Sequence, residues 1–234
     1  STWRLIAEEL HREILDGVWP EGARLPTESD LAERFGVNRN TVRQAIGALA
    51  SDGLVASRRG SGTYVSETTV LVHRIGARTR LSASLGDASR SGSRVLDWAI
   101  EAEPPAEVRA RLSLGERAAL RMETVGSIDG LPLSRATHWF DAGRVPGLVD
   151  HYRRTSSITA ALREVGIDDY LRASTLTSAR HATVAESADL GMPVGSVVLV
   201  TRALDALPDG APLHYVVTRW VANRVELDFE SPSA

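Results

Sequence analysis

No cysteine occurs among the 234 residues, so neither a disulfide nor a thiolate metal site is possible. Lysine is missing as well, and all 27 basic side chains are arginine. That usage is of the kind GC-rich coding produces, and it also suits two-point contact with phosphate. No apolar run is long enough to cross a membrane. The chain opens directly in an amphipathic stretch from Trp3 to Asp16, so no signal peptide is expected and the cytoplasm is the expected compartment. The histidines (His11, His73, His138, His151, His181 and His214) show no paired ligand spacing. There is also no Gly-x-Ser-x-Gly elbow and no supported carboxylate pair. Metal, cofactor and catalytic chemistry are therefore not expected.

What is present concentrates between Leu25 and Val65. Pro26-Thr27 opens a helix in which Thr27 and Asp30 form a capping-box-like pair, Leu31, Ala32 and Phe35 are apolar, and Gly36 is the stop. Asn38 caps a second helix running to about Ser51, with Gly53 beyond its end. At about 100° per residue, Val42, Ala45, Ile46 and Leu49 share one arc, and Arg39, Asn40, Arg43, Gln44 and Gly47 share the other. Thr41 belongs to the same N-terminal turn, the end of a recognition helix that meets bases and phosphates. Leu54–Ser57 and Thr63–Val65 then read as strands around a tip of Arg58, Arg59, Gly60, Ser61 and Gly62, suited to a wing along a groove. The net charge of −3 does not announce a nucleic-acid partner. The local balance does: between Arg34 and Arg59, Arg34, Arg39, Arg43, Arg58 and Arg59 stand against a single acid, Asp52. Gly60-Ser61-Gly62 lacks the lysine and spacing of a phosphate loop.

Residues 3–65 resemble the winged helix-turn-helix of the GntR family of bacterial repressors. The resemblance rests on Leu25-Pro26, Glu28, Leu31-Ala32, Gly36-Val37, Arg39, Thr41-Val42-Arg43, Gly53-Leu54 and Gly60 to Val65. It implies that Arg39 and Arg43 make the main DNA contacts, with Gly60 at the wing tip in the minor groove. Many relatives carry arginine where this chain has Ser29, so one contact of the family is missing.

Residues 1–66 are read as this DNA-binding head, 67–76 as a linker and 77–234 as a second domain with its own core. The second domain contains a repeat. A helical stretch (about Pro105 to Leu112, then about Thr183 to Leu190) leads each time into two strands joined at Asp129-Gly130 or Asp209-Gly210. Between the repeats, Ser157 caps a helix ending at Gly166, and Tyr170 to Thr177 reads as a strand. Two such units side by side give an α+β domain, an antiparallel sheet with helices on one face. The pattern is similar to the HutC branch of the GntR family, whose effector-binding (UTRA) domain shares the chorismate-lyase fold. Arg78 to Ser82, His138-Trp139-Phe140, Ser157-Ile158 and Leu176 to Ala182 resemble regulators of phosphonate utilisation most.

This resemblance implies a homodimeric repressor on a pseudo-palindromic double-stranded operator, controlled by a small anionic effector. The candidate anion contacts are Thr79, Arg80, Ser82, Arg135, Thr137, Ser157 and Tyr215. Amino-sugar-phosphate regulators carry arginines where this chain has Thr124, Val125 and Gly126. The alternatives are an enzyme of the chorismate-lyase fold bearing a DNA-binding head, and a non-specific architectural DNA protein.

Overall fold

The computed structural model describes residues 1–58, 60–66, 71–75 and 91–229. The chain divides into two compact units, Ser1–Thr69 and Val70–Ala234.

In the first unit, α1 (Thr2–Leu15), α2 (Glu28–Phe35) and α3 (Arg39–Ser51) are followed by the hairpin β1 (Val55–Arg58) and β2 (Gly62–Val65). The anticipated caps are present. Thr27 and Asp30 close a full capping box, Gly36 ends α2 at φ 63°, and the Asn38 side chain accepts from the Thr41 amide at 2.9 Å. Ile6, Leu10, Leu31, Val42, Ala45, Ile46 and Leu49 form one core with Leu25, Val55 and Val65. The buried arc of α3 is the one its periodicity sets out.

The second unit is a six-stranded antiparallel sheet in the order β4-β5-β6-β9-β8-β7. Its strands are β4 (Ser91–Glu101), β5 (Ala119–Ile128), β6 (Leu131–Asp141), β7 (Leu171–His181), β8 (Val197–Ala206) and β9 (Pro212–Val221). The repeated units β5–β6 and β8–β9 meet at the centre through the β6–β9 pair. Asp129 (φ 50°) and Gly130 (φ 78°) both take the left-handed conformation that a two-residue hairpin turn requires.

Helices cover both faces of the sheet, where the sequence pattern had suggested one. Trp139 and Phe140 are neighbours on β6 and therefore point to opposite sides. Trp139 packs with Val108 and Leu112, from α4 (Ala106–Arg111) and its C-terminal end. On that same side, Leu190 of α7 (Val184–Leu190) packs on Val198, Val200 and Val221. Phe140 packs instead with α5 (Leu148–Thr155) and α6 (Ile158–Glu164) through Leu148, Tyr152, Ala161 and Leu162. The segment expected to be linker contains a strand. Within it, β3 (Leu71–Ile75) pairs in parallel with β10 (Val225–Phe229), so backbone pairing to a distant strand overrides its weak local pattern.

Candidate functional site

On α3, Arg39, Asn40, Arg43 and Gln44 are exposed, and Thr41 is half-buried with its hydroxyl directed at Asn38 Oδ1 (3.1 Å). After Arg43, the charge of Arg39 adds a smaller contribution that lowers the Glu28 carboxyl. Arg43 is held by α2: its Nε and Nη2 donate to the two oxygens of Glu28 at 3.1 and 2.8 Å. Arg34, the fifth arginine of the cluster, is spent on packing. It pairs with Glu13 of α1, whose carboxylate also accepts from the Trp19 indole at 2.8 Å. The wing is ordered by Arg58, whose guanidinium lies 4.8 Å from the Tyr64 ring centroid, and by Ser61, whose hydroxyl lies 2.7 Å from that of Tyr64. Gly60 and Gly62 have φ of 76° and 118°; a Cβ on Gly62 would lie 2.8 Å from Arg24 Nε. Arg24 is therefore a further exposed cation against the wing, one that its sequence context did not mark. Arg59 lies outside the described residues.

The second unit holds a partly open cavity of about 280 Å³ between the sheet and α5–α6. Its sheet wall comes from Thr124 on β5, Ser134, Ala136 and His138 on β6, and His214, Val216 and Thr218 on β9. Opposite them stand Tyr152 of α5, the Thr155-Ser156-Ser157 corner and Thr159 of α6. Ser157 caps α6, its hydroxyl oxygen accepting from the Ala160 amide at 3.3 Å. A hydrogen-bonded chain crosses the sheet along this wall. Thr124 Oγ1 lies 3.1 Å from His138 Nε2, His138 Nδ1 lies 3.0 Å from His214 Nε2, and His214 Nδ1 lies 3.0 Å from Asp205 Oδ2. Arg172 Nε donates to the other Asp205 oxygen at 2.6 Å.

Electrostatics follow from that burial. Desolvation, with His214 and Arg219 nearby, holds His138 well below the usual imidazole range. Burial would raise the Asp205 carboxyl, but the His214 hydrogen bond and the Arg172 charge more than offset it and leave it low. Burial raises the Tyr152 phenol against the opposing hydrogen bonds of Ser93 and Thr124.

Of the effector candidates on described residues, only Ser157 lines the cavity. Arg135 and Thr137 alternate with Ser134, Ala136 and His138 and so emerge on the opposite face. There Arg135 Nε lies 3.0 Å from Asp189, and Thr137 donates to Glu123 at 2.8 Å and accepts from Arg219 at 2.7 Å. Tyr215 is on that face too, its hydroxyl donating to Glu107 at 2.6 Å. Burial and then Glu107 push its phenol up to about 12, so it is a packed, neutral side chain. Thr79, Arg80 and Ser82 lie outside the described residues. Sequence reasoning missed Arg172, Asp205 and the His138–His214 pair, since their convergence depends on strand register and no local spacing marks it.

Both units match known families. Residues 3–65 match "Bacterial regulatory proteins, gntR family", and residues 88–226 match the UTRA domain. The chain belongs to the gntR family of bacterial regulatory proteins. Over 99% of its length it is 36% identical to an uncharacterised HTH-type transcriptional regulator of Rhizobium meliloti (strain 1021), covering 95% of that protein. It is 25% identical to the transcriptional repressor NagR of Bacillus subtilis (strain 168), over 94% of this chain and 90% of NagR. Among solved structures, PhnF from Mycobacterium smegmatis shares the fold, with a TM-score of 0.66 at 24% identity over 97% of this chain and 99% of PhnF. The gntR-family chain described here is thus a transcriptional regulator with a DNA-binding and an effector-binding domain, and not an enzyme of the chorismate-lyase type. No helix among the described residues is long and apolar enough to cross a membrane.

Proposed function

We propose that this regulator is a cytoplasmic, homodimeric repressor. It binds a pseudo-palindromic double-stranded operator through Arg39, Asn40, Thr41, Arg43 and Gln44 and through the wing residues Arg58, Arg59, Gly60, Ser61 and Gly62. A two-fold pairing of chains would present two recognition helices to two half-sites. Its effector is a small anion, a phosphonate, phosphate or phosphorylated metabolite, and its targets are genes for taking up or using such compounds. The observation that carries the effector reading is the cavity itself. It is a partly open, largely apolar cleft of about 280 Å³ into which a few polar groups converge, and its donors include Arg172 and the Ser157 hydroxyl. Arg172 Nη2 has no hydrogen-bond partner among the described residues, which leaves one edge of the guanidinium for an anion. The repressor sign is supported by the similarity to NagR.

Coupling requires that the effector bind one arrangement of the chain better than another, and the operator then alters effector affinity by the same factor. The test is a titration of phosphate, simple phosphonates and sugar phosphates against the full chain bound to a selected duplex. The reading requires that at least one changes duplex affinity severalfold. Ala136→Leu, which fills the cavity, should abolish that response and leave DNA binding in place. A response that survives Ala136→Leu would place the effector elsewhere.

A further inference from the structure

On the reading that this cavity is the effector site, we infer that the effector presents a hydrogen-bond-donating group, an ammonium or a hydroxyl, to the corner formed by Ser93, Thr124 and Tyr152. The protons around that corner can be counted. The Asp205 carboxylate can only accept, so His214 Nδ1 must carry the proton that it shares at 3.0 Å. Taken as the neutral ring, His214 has a bare lone pair at Nε2 and accepts from His138 Nδ1–H at 3.0 Å. His138 Nε2 is bare in turn and takes the Thr124 hydroxyl proton at 3.1 Å. The Ser93 hydroxyl donates to the Val125 carbonyl at 3.3 Å. Tyr152 has one proton, and its phenol oxygen sits against the Ser93 hydroxyl oxygen, which receives it.

All the hydroxyl protons at the corner are thereby spent on protein acceptors, and only lone pairs remain to face the cavity. The corner accepts and cannot donate. The low basicity of the buried His138 imidazole keeps that ring neutral, and the count takes His214 as the neutral ring as well. Elsewhere on the cavity wall the balance is reversed. Ser157 retains its proton after accepting from the Ala160 amide, and Arg172 has its unshared Nη2. The Ser156 hydroxyl proton is already given to the Ser93 carbonyl at 3.2 Å and so adds no donor. A ligand that satisfies both parts of the wall is two-ended: an anionic group for Arg172 and Ser157, and an amino or hydroxyl group for the acceptor corner. Its chemical class is the amino- or hydroxy-substituted small acid. A simple alkyl phosphonate or inorganic phosphate meets only half of the wall.

Calorimetry on the full chain with matched probes tests this: ethylphosphonate against 2-aminoethylphosphonate, and propionate against 3-aminopropionate and 3-hydroxypropionate. A donor-bearing member should bind about tenfold or more tighter than its donor-free partner, because the partner leaves buried acceptors unpaired. Thr124→Val should shrink that preference to about twofold or less, and Thr124→Ser should restore it. Ser93→Ala is a second variant should Thr124→Val misfold; it should narrow the preference too, with retained DNA binding and melting temperature reporting an intact fold. Equal affinity within every pair overturns the inference and leaves the cavity as an effector site. So does a preference that neither Thr124→Val nor Ser93→Ala reduces. Binding of no probe from any pair overturns the small-anion reading and the inference with it.

Discussion

Arg43 of the recognition helix grips Glu28 of the preceding helix at two points, 3.1 and 2.8 Å. The pair is largely exposed and contributes little to folding, so its meaning lies in what it does to the DNA face. On the proposal that Arg43 contacts DNA, Glu28 both aims the guanidinium and neutralises it before DNA arrives. A phosphate or guanine edge that takes Arg43 must displace a carboxylate, which weakens contact with arbitrary sequence. Arg43→Ala should therefore cost about 1–3 kcal/mol of operator affinity. Glu28→Ala should tighten binding to random duplex and steepen its dependence on log salt by about one unit, while narrowing the operator-to-random ratio. Anisotropy titrations at several salt concentrations read both effects. A Glu28→Ala protein that binds random DNA more weakly would show that the carboxylate only positions Arg43.

Much of the head is legible in the sequence because its signals are local. Thr27, Asn38 and Gly36 occupy cap positions whose chemistry acts within one turn, and the two arcs of α3 follow from helical period alone. The Asp-Gly turns are legible for the same reason. The cavity is not. On β6 nearly every residue is buried, since helices cover both faces, so no polar alternation shows which parity faces the cavity. Arg135 and Thr137 are attractive anion contacts by residue type, but their parity puts them on the face away from the cavity. Ser134, Ala136 and His138 have the parity that faces it. Arg172 and Asp205 meet only because β7 pairs with β8, and His138 meets His214 only because β6 pairs with β9. No spacing in one sequence encodes that register.

Glu186 holds the ion-pair network on the opposite face of the sheet. It completes the Thr183 capping box and accepts from Arg180 at 2.7 Å and from the buried Arg219 at 3.0 Å. The Arg180 hydrogen bonds, opposed by burial, hold its carboxyl at about 2. Glu186→Ala should destabilise the effector domain by roughly 3–5 kcal/mol, because Arg219 would be left buried with Glu123 at 3.6 Å as its remaining acid. Urea denaturation checks this, and a loss below about 1 kcal/mol would mean that Arg219 finds water or another partner.

His73 gives the effector domain an acid-sensitive element. Burial, with Arg172 adding a smaller repulsion, lowers its imidazole to about 4. The folded state thus binds fewer protons than the unfolded state across the interval from about 6.5 down to 4. The resulting contribution is fully present above the unfolded value and is lost as pH falls through that window, amounting to at most about 3 kcal/mol. His138, also held low, acts in the same direction. His73→Phe keeps a ring against Trp220, whose centroid lies 4.7 Å away, and should flatten the fall in melting temperature between pH 6.5 and 4. An unchanged slope would assign the acid sensitivity to His138 and the carboxylates.

The most direct test of the account is the affinity of the full chain for a duplex selected from a random pool, compared with a scrambled duplex of the same composition at one salt concentration. The account predicts that the selected duplex binds about a thousandfold or more tighter, as specific regulators do. It also predicts that replacing Arg39 and Arg43 together by alanine removes most of that ratio. Equal affinity for the two duplexes would contradict it and leave a protein that holds DNA without reading it.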